Sequence, residues 1–238
     1  MEEKLSGIVL GGVNYGENDK IINVFTLEKG VVSAKIKGVK KAGAKLKFAS
    51  EPFCFAEFVF FLREGKRTVK TASLIDSFYS VREDIIRFFA GGAVLEFVRK
   101  TLKEEIPAPE MFSLVLSTLK DIAYGDKNPK EVLAKFFLSA FFETGYALNL
   151  NGCSSCLNEN PARVFFDYTS GAFFCEECRE EGAREIKSTT YYTLKDLLND
   201  KEIEDFRLLD PLKLIDYYAT NKIEVNIKSL KELIKLCV

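Results

Sequence analysis

Two Cys-x-x-Cys pairs, Cys153-Ser154-Ser155-Cys156 and Cys175-Glu176-Glu177-Cys178, constrain this chain more than any other feature. Eighteen residues separate them, a spacing typical of two short knuckles that share one metal ion. Each knuckle offers two sulfurs on one side of a tight loop, and four thiolates complete a tetrahedron around Zn²⁺. Between the pairs, Val164-Phe165-Phe166 and Ala172-Phe173-Phe174, joined near Ser170-Gly171, are expected to form a hairpin that brings the knuckles together. Two disulfides are not expected in a cytosolic chain, and a redox pair would need only one copy of the motif. An iron–sulfur cluster would use the same ligands. The expectation is one structural zinc on Cys153, Cys156, Cys175 and Cys178, in a closed shell that stabilises and does not catalyse. Cys54 and Cys237 read as small hydrophobes.

Catalytic chemistry finds little purchase. The chain has no histidine, which removes Ser-His-Asp and Cys-His catalysis and c-type haem attachment. Gly11-Gly12-Val13-Asn14-Tyr15-Gly16-Glu17-Asn18 superficially resembles a phosphate loop. It places Glu17 where the nucleotide-binding lysine must stand and Asn18 where the Mg²⁺-binding hydroxyl belongs. Glu17, Asp19 and Glu28 are spaced as turn and loop residues. The expectation is a protein without an active site.

Formal net charge is −1, which by itself argues against a general nucleic-acid binder. The distribution changes that reading. Lys29, Lys35, Lys37, Lys40, Lys41, Lys45 and Lys47 follow one another with no acid among them, a local excess able to neutralise phosphates. A lysine-blocked strand edge and a solvated loop would look the same, and charge alone leaves both readings open.

Residues 1–78 read as five short strands: one opening at Ile8-Val9-Leu10, then Lys20 to Leu27, Val31 to Val39, Phe53 to Leu62 and Thr68 to Leu74. So many strands in so short a stretch fit a small closed barrel of the OB type. In the third, Ser33, Lys35 and Lys37 share one face. Residues 79–238 turn helical, interrupted at 151–182 by the four-cysteine zinc module, so the fold class is α+β in two domains. Ser80 to Glu83 reads as a capping box. Gly91-Gly92 permits close packing or a bend, Asn128-Pro129 opens a third helix, and Thr193 is placed to cap a short one. Phe136, Phe137, Phe141 and Phe142 make the third helix apolar almost all round, as at a bundle centre. Met1-Glu2-Glu3-Lys4 leads into no signal core and no apolar run is long enough to span a bilayer, so a cytoplasmic location is expected.

Gly7-Ile8-Val9-Leu10, then Tyr15-Gly16-Glu17-Asn18-Asp19-Lys20, Phe25-Thr26-Leu27-Glu28-Lys29-Gly30 and Lys37-Gly38-Val39-Lys40-Lys41 resemble, in order and spacing, the amino-terminal signature of the RecO family of bacterial recombination mediators. The resemblance runs on through the helical stretch and the cysteine module. It implies an OB-fold domain, a helical domain and a zinc-binding segment. It also implies binding to single- and double-stranded DNA, annealing of complementary strands, and partnership with RecR and the single-stranded-DNA-binding protein in loading RecA at the nucleoid. This chain carries lysine where many relatives carry arginine after the third strand. Some relatives lack the cysteines, so the metal is not expected to be the functional centre.

Annealing needs two polyanions neutralised and bases held ready to pair. Lys35, Lys37, Lys40 and Lys41 lead the candidates for phosphate contact, followed by Lys45, Lys47, Arg63, Lys66, Arg67 and Lys70. Phe53, Phe55 and Phe61 on one face of the fourth strand, and Phe58 and Phe60 on the other, are expected mostly as barrel-core or domain-interface residues, with stacking on a base as the alternative. Two other classes remain: a zinc-ribbon factor of transcription or translation, preferring RNA, and a thiol oxidoreductase using one Cys-x-x-Cys. Metal content and a free-thiol count separate the second; DNA and RNA competitors separate the first.

Overall fold

The computed structural model describes residues 1–237, which form two compact units dividing after Tyr124. The first opens on a closed barrel of β1 (Glu2–Tyr15), β2 (Asp19–Thr26), β3 (Gly30–Ile36), β4 (Phe55–Arg63) and β5 (Lys66–Asp76), ordered β1-β2-β3-β5-β4. β4 alternates as a half-buried strand must, with Ala56, Phe58 and Phe60 inward, whereas β1 is buried on both faces from Gly7 to Gly11. Ile22, Val24, Val32, Ala34, Ile36, Phe58, Phe60 and Val69 fill the interior. Long β1 serves two neighbours, β4 with its first half and β2 with its second. The register slips between Val9 and Gly11, a bulge that bends the strand from one partner to the other.

β3 and β5 meet over only two pairs, Ala34 with Arg67 and Lys35 with Thr68. Beyond them the residues after the first helix close the seam. The Glu105 N–H donates to the Val31 carbonyl at 2.9 Å. Gly30, at φ +67°, lies so close to Ile106 that a Cβ would stand 1.9 Å from its carbonyl oxygen. Arg67, whose side chain is only 5% exposed, pairs with Glu3 at 2.8 Å and with Glu105 at 2.5 Å, and Glu3 also pairs with Lys29. Burial raises the Glu3 pKa, but hydrogen bonds from Lys29 and Arg67 outweigh it and hold the carboxyl below its ordinary value of 4.5. Arg67→Ala is expected to cost about 3 kcal/mol, because it leaves Glu3 buried with one partner fewer. A lowered carboxyl pKa stabilises the fold above pH 4.5 and loses that contribution as pH falls through the folded value. Urea unfolding of both proteins at pH 7 and pH 3 checks this: the gap should narrow at the lower pH.

Two helices complete this unit, α1 (Ile85–Thr101) and α2 (Pro109–Tyr124). The expected capping box does not cap α1. Tyr79–Arg82 form a separate 3₁₀ turn, and the Asp84 carboxylate accepts the Arg87 N–H at 2.8 Å instead. Buried Phe78, held at φ +44°, turns the chain there and delays the helix. Gly91 allows α1 to pack closely, since a Cβ there would meet the Phe53 ring at 3.0 Å. Phe112 of α2 meets Phe25 and Phe55 edge-on, at 5.3 and 6.2 Å between ring centres, which seats the helix on the barrel.

The second unit holds α3 (Pro129–Glu143), β6 (Val164–Asp167), β7 (Ala172–Cys175), β8 (Arg184–Ile186), α4 (Ser188–Leu198), α5 (Leu209–Asn221) and α6 (Lys228–Leu236). Asn128 caps α3 with Pro129 at its first turn, as expected. Phe136, Phe137 and Phe141 are buried, while Phe142 is 71% exposed. Thr193 lies inside α4, not at its start, and its hydroxyl donates back to the Thr189 carbonyl. Among the described residues no helix is long and apolar enough to cross a membrane.

Candidate nucleic-acid interface and metal centre

The lysine-rich connection between β3 and β4 is organised by the turn between β1 and β2. Asp19 accepts the Gly38 N–H at 2.8 Å and pairs with Lys35 at 2.8 Å. The Lys40 N–H donates to the Asn18 carbonyl at 3.0 Å. The hydrogen bond from Lys35, then that from Gly38, hold the Asp19 carboxyl below its ordinary pKa. Successive turns, Lys41 N–H to Gly38, Ala44 to Lys41 and Lys47 to Ala44, carry the chain onward into a 3₁₀ turn at Phe48–Ser50. Lys37, Lys40, Lys41, Lys45 and Lys47 are all exposed, and none makes a salt bridge among the described residues.

The other candidate cations divide. Arg63 and Lys66 flank the Glu64-Gly65 hairpin turn, whose two central residues have φ of 50° and 73°, the left-handed pair a tight hairpin favours. Lys66 and Lys35 line one groove of about 500 Å³ with Tyr15, Ser33 and Thr68, and Arg67 lies at its wall. Arg67 itself is buried in the ion pairs that close the barrel. Lys70 sits where the β4–β5 register slips, between Val59–Thr71 and Phe60–Val69, and pairs with Glu2. Of the aromatic residues on or beside β4, Phe53, Phe58 and Phe60 are buried, Phe55 is half-buried and packs on Phe112, and Phe61 is 45% exposed. An aromatic that sequence reasoning passed over is Tyr15, 51% exposed, with the Lys35 ammonium 4.5 Å from its ring centre. No signal in the sequence gave its direction: Leu5 and Val9 point into the core, the bulge between Val9 and Gly11 reverses their parity, and the last four residues of β1 are all exposed. The Gly11–Asn18 segment runs from strand into strand turn, so it lacks the helix that a phosphate loop must open.

In the second unit the expected hairpin forms, β6 pairing with β7, and β8 adds a third strand. Two successive phenylalanines on each strand serve opposite faces. Phe165 lies opposite Phe174 and Phe166 opposite Phe173. Phe165 and Phe174 pack with Cys153 and Cys175, while Phe166 and Phe173 meet Tyr218 and Tyr191 of the helices. Asp167 ties the hairpin turn, accepting from Thr169 and Ser170. The first knuckle is closed by Cys153 N–H to Asn158 and Leu157 N–H to Cys153, and Ser154 N–H donates to Phe173 of the hairpin. The second is a single 3₁₀ turn, Glu176–Cys178.

The four sulfurs of Cys153, Cys156, Cys175 and Cys178 lie within 4.8 Å of one another, and those of Cys156 and Cys175 are 3.7 Å apart. A tetrahedron with Zn–S of about 2.3 Å sets sulfurs roughly 3.8 Å apart, whereas a disulfide needs about 2.05 Å. The set therefore fits one tetrahedral ion. Burial pushes the Cys153 thiol up, yet N–H groups of Cys156, Cys175 and Ser155 outweigh it and bring it down to about 6. Hydrogen bonds with Cys175 and Cys156 that favour its protonated, donating form push the Cys178 thiol up to about 12. One sulfur ionises at the expense of its neighbours, as crowded thiols must. Cys54 lies apart in the barrel core, its thiol pushed up to about 12 by burial.

Two family models match this chain, Recombination protein O N terminal over residues 1–78 and Recombination protein O C terminal over residues 82–231. A protein of Acetivibrio thermocellus named DNA repair protein RecO is 29% identical over 236 residues, covering 95% of this chain and 94% of its own. Proteins of the same name from Exiguobacterium sibiricum and Caldicellulosiruptor bescii are 31% and 30% identical, covering 79% and 77% of this chain and 75% of each relative. With the first model spanning the barrel, the second the helices and cysteine module, and relatives matching across both, the chain belongs to the RecO family.

Proposed function

We propose that this chain is a DNA-binding mediator of recombinational repair that anneals complementary single strands and, with RecR and the single-stranded-DNA-binding protein, helps load RecA. The observation that carries the reading is the exposed lysine loop, pinned by Asp19 and Asn18 onto a closed barrel, in a chain whose relatives are named DNA repair proteins. The phosphate candidates remain Lys35, Lys37, Lys40, Lys41, Lys45, Lys47, Arg63 and Lys66. Lys70, paired with Glu2, and Arg67, buried between Glu3 and Glu105, support the barrel on this reading.

Lysines on a loop without acidic partners offer charge to any phosphate backbone, so binding is indifferent to sequence and weakens with salt. Two strands held on one positive surface repel each other less and pair sooner. No residue needs to form or break a covalent bond. Cys153, Cys156, Cys175 and Cys178 would hold zinc, which supplies a structural clamp there and leaves no open position for catalysis.

Annealing followed by fluorescence, without nucleotide or added divalent metal, tests the mechanism. Acceleration is expected at low salt and should disappear as salt rises, before circular dichroism registers any unfolding. Folded protein that leaves the low-salt rate unchanged would sink the mediator reading and reduce the lysine loop to passive binding.

A further inference from the structure

We propose that Tyr15 is the stacking platform for an unpaired base, a contact that single-stranded DNA can make and duplex DNA cannot. The inference rests on the DNA-binding reading above and names the contact through which that binding senses strandedness.

An outward row crosses the barrel: Val13 on β1 lies opposite Ile21 on β2, Ile21 opposite Lys35 on β3, Lys35 beside Thr68 on β5. Tyr15 shares the parity of Val13 on β1 and stands at the strand's end, next to the turn that anchors the lysine loop. The residue is 51% exposed, so its ring is open to a ligand except where another group covers it. Lys35 partly does. Its ammonium lies 4.5 Å from the ring centre and 2.8 Å from Asp19. The ammonium groups of Lys35 and Lys66, the hydroxyl groups of Ser33 and Thr68, and an aromatic face thus line one groove of about 500 Å³, together with Glu104 and with Glu105, which Arg67 neutralises. A phosphate that draws Lys35 towards itself uncovers the face of Tyr15 on which the adjoining base can lie, so the two contacts form together. Bases in a duplex already stack on one another and cannot reach the ring; bases in a single strand can.

The chain contains no tryptophan, so Tyr15→Trp places a sole indole reporter at the site. Oligothymidine and a duplex of equal length serve as probes, with affinity read from the anisotropy of a label on the DNA. Tyr15→Ala and Tyr15→Leu are expected to weaken single-strand binding about 5- to 150-fold, the range of one base–aromatic stack. Duplex affinity and the salt slope should stay as in the unsubstituted protein, because no phosphate contact is lost. Tyr15→Phe should bind normally. Fluorescence of Tyr15→Trp should be quenched by oligothymidine and not by duplex, while Phe206→Trp, at a residue 77% exposed in the second unit, should be quenched by neither. Unchanged single-strand affinity in Tyr15→Ala overturns the inference and leaves DNA binding intact. Equal losses on both DNAs, or a flatter salt slope, also overturn it, since the ring would then only be supporting Lys35. No binding of either DNA by the unsubstituted protein is a different outcome, which removes the DNA-binding reading itself.

Discussion

Cys153→Ser or Cys175→Ser is expected to unfold the cysteine module while the barrel stays folded. The module has almost no core of its own. Its sheet is three strands of four, four and three residues, and one face covers only Cys153, Cys175, Phe165 and Phe174 with a few half-buried neighbours. So small a sheet is marginal in water. Structural zinc in small domains supplies apparent binding energies of about 10–16 kcal/mol, far more than these contacts can replace. Loss should also spread along the second unit, because Phe166 and Phe173 support Tyr218 and Tyr191. The barrel has a separate core. The expected result is one zinc per purified chain by elemental analysis, no zinc in either serine variant, and an early additional transition on heating the variants or the chelated protein. Cys54→Ser should keep its zinc. Unchelated protein without zinc, or serine variants that melt like the unsubstituted chain, would show that the four sulfurs are held together by packing alone.

The barrel was legible because alternation is local: each strand carries its inward set in its own letters, and five such runs within 78 residues admit few architectures. The cysteine hairpin was legible for the same reason, with the two knuckles fixing where its ends must meet. What stayed hidden depends on residues far apart in sequence. Arg67 shares the inward parity of Val69, but a buried guanidinium makes sense only once Glu3, 64 residues away, is seen to receive it. The capping box at Ser80 matched its pattern, yet a left-handed Phe78 gave the cap to Asp84. β8 escaped because Arg184-Glu185-Ile186 has no strand pattern; pairing with β6 and the Arg163–Glu185 bridge hold it extended. Among the site residues, the lysines announced themselves by composition. Their anchor did not: Asp19 reads as an ordinary turn acid until Gly38 and Lys35 are found on its carboxylate.

That anchor determines which lysines can be removed to test the interface. Changing Lys37, Lys40, Lys41, Lys45 and Lys47 together to alanine is expected to abolish most single-strand binding at moderate salt without harming the fold. All five are exposed and none has a salt bridge among the described residues, so their loss leaves no buried charge behind. Lys35 is kept, because it neutralises Asp19, and its removal would place an unpaired carboxylate beside the incoming phosphates. Each phosphate contact on a single strand contributes about 0.7 to the slope of log K against log salt. If all five lysines make one contact, the variant's slope should be shallower by about 3.5. Electrostatic gain fades towards 1 M salt, so that slope difference amounts to roughly three orders of magnitude in affinity at 0.1 M. Arg67→Ala supplies the contrast: it should lower stability and leave the slope alone, because its guanidinium already faces Glu3 and Glu105. Titrations of labelled oligothymidine across a salt series, with melting curves for both variants, separate the two effects. A five-lysine variant with an unchanged slope would move the phosphate contacts off this loop, leaving its lysines as the solvated edge that charge alone could equally describe.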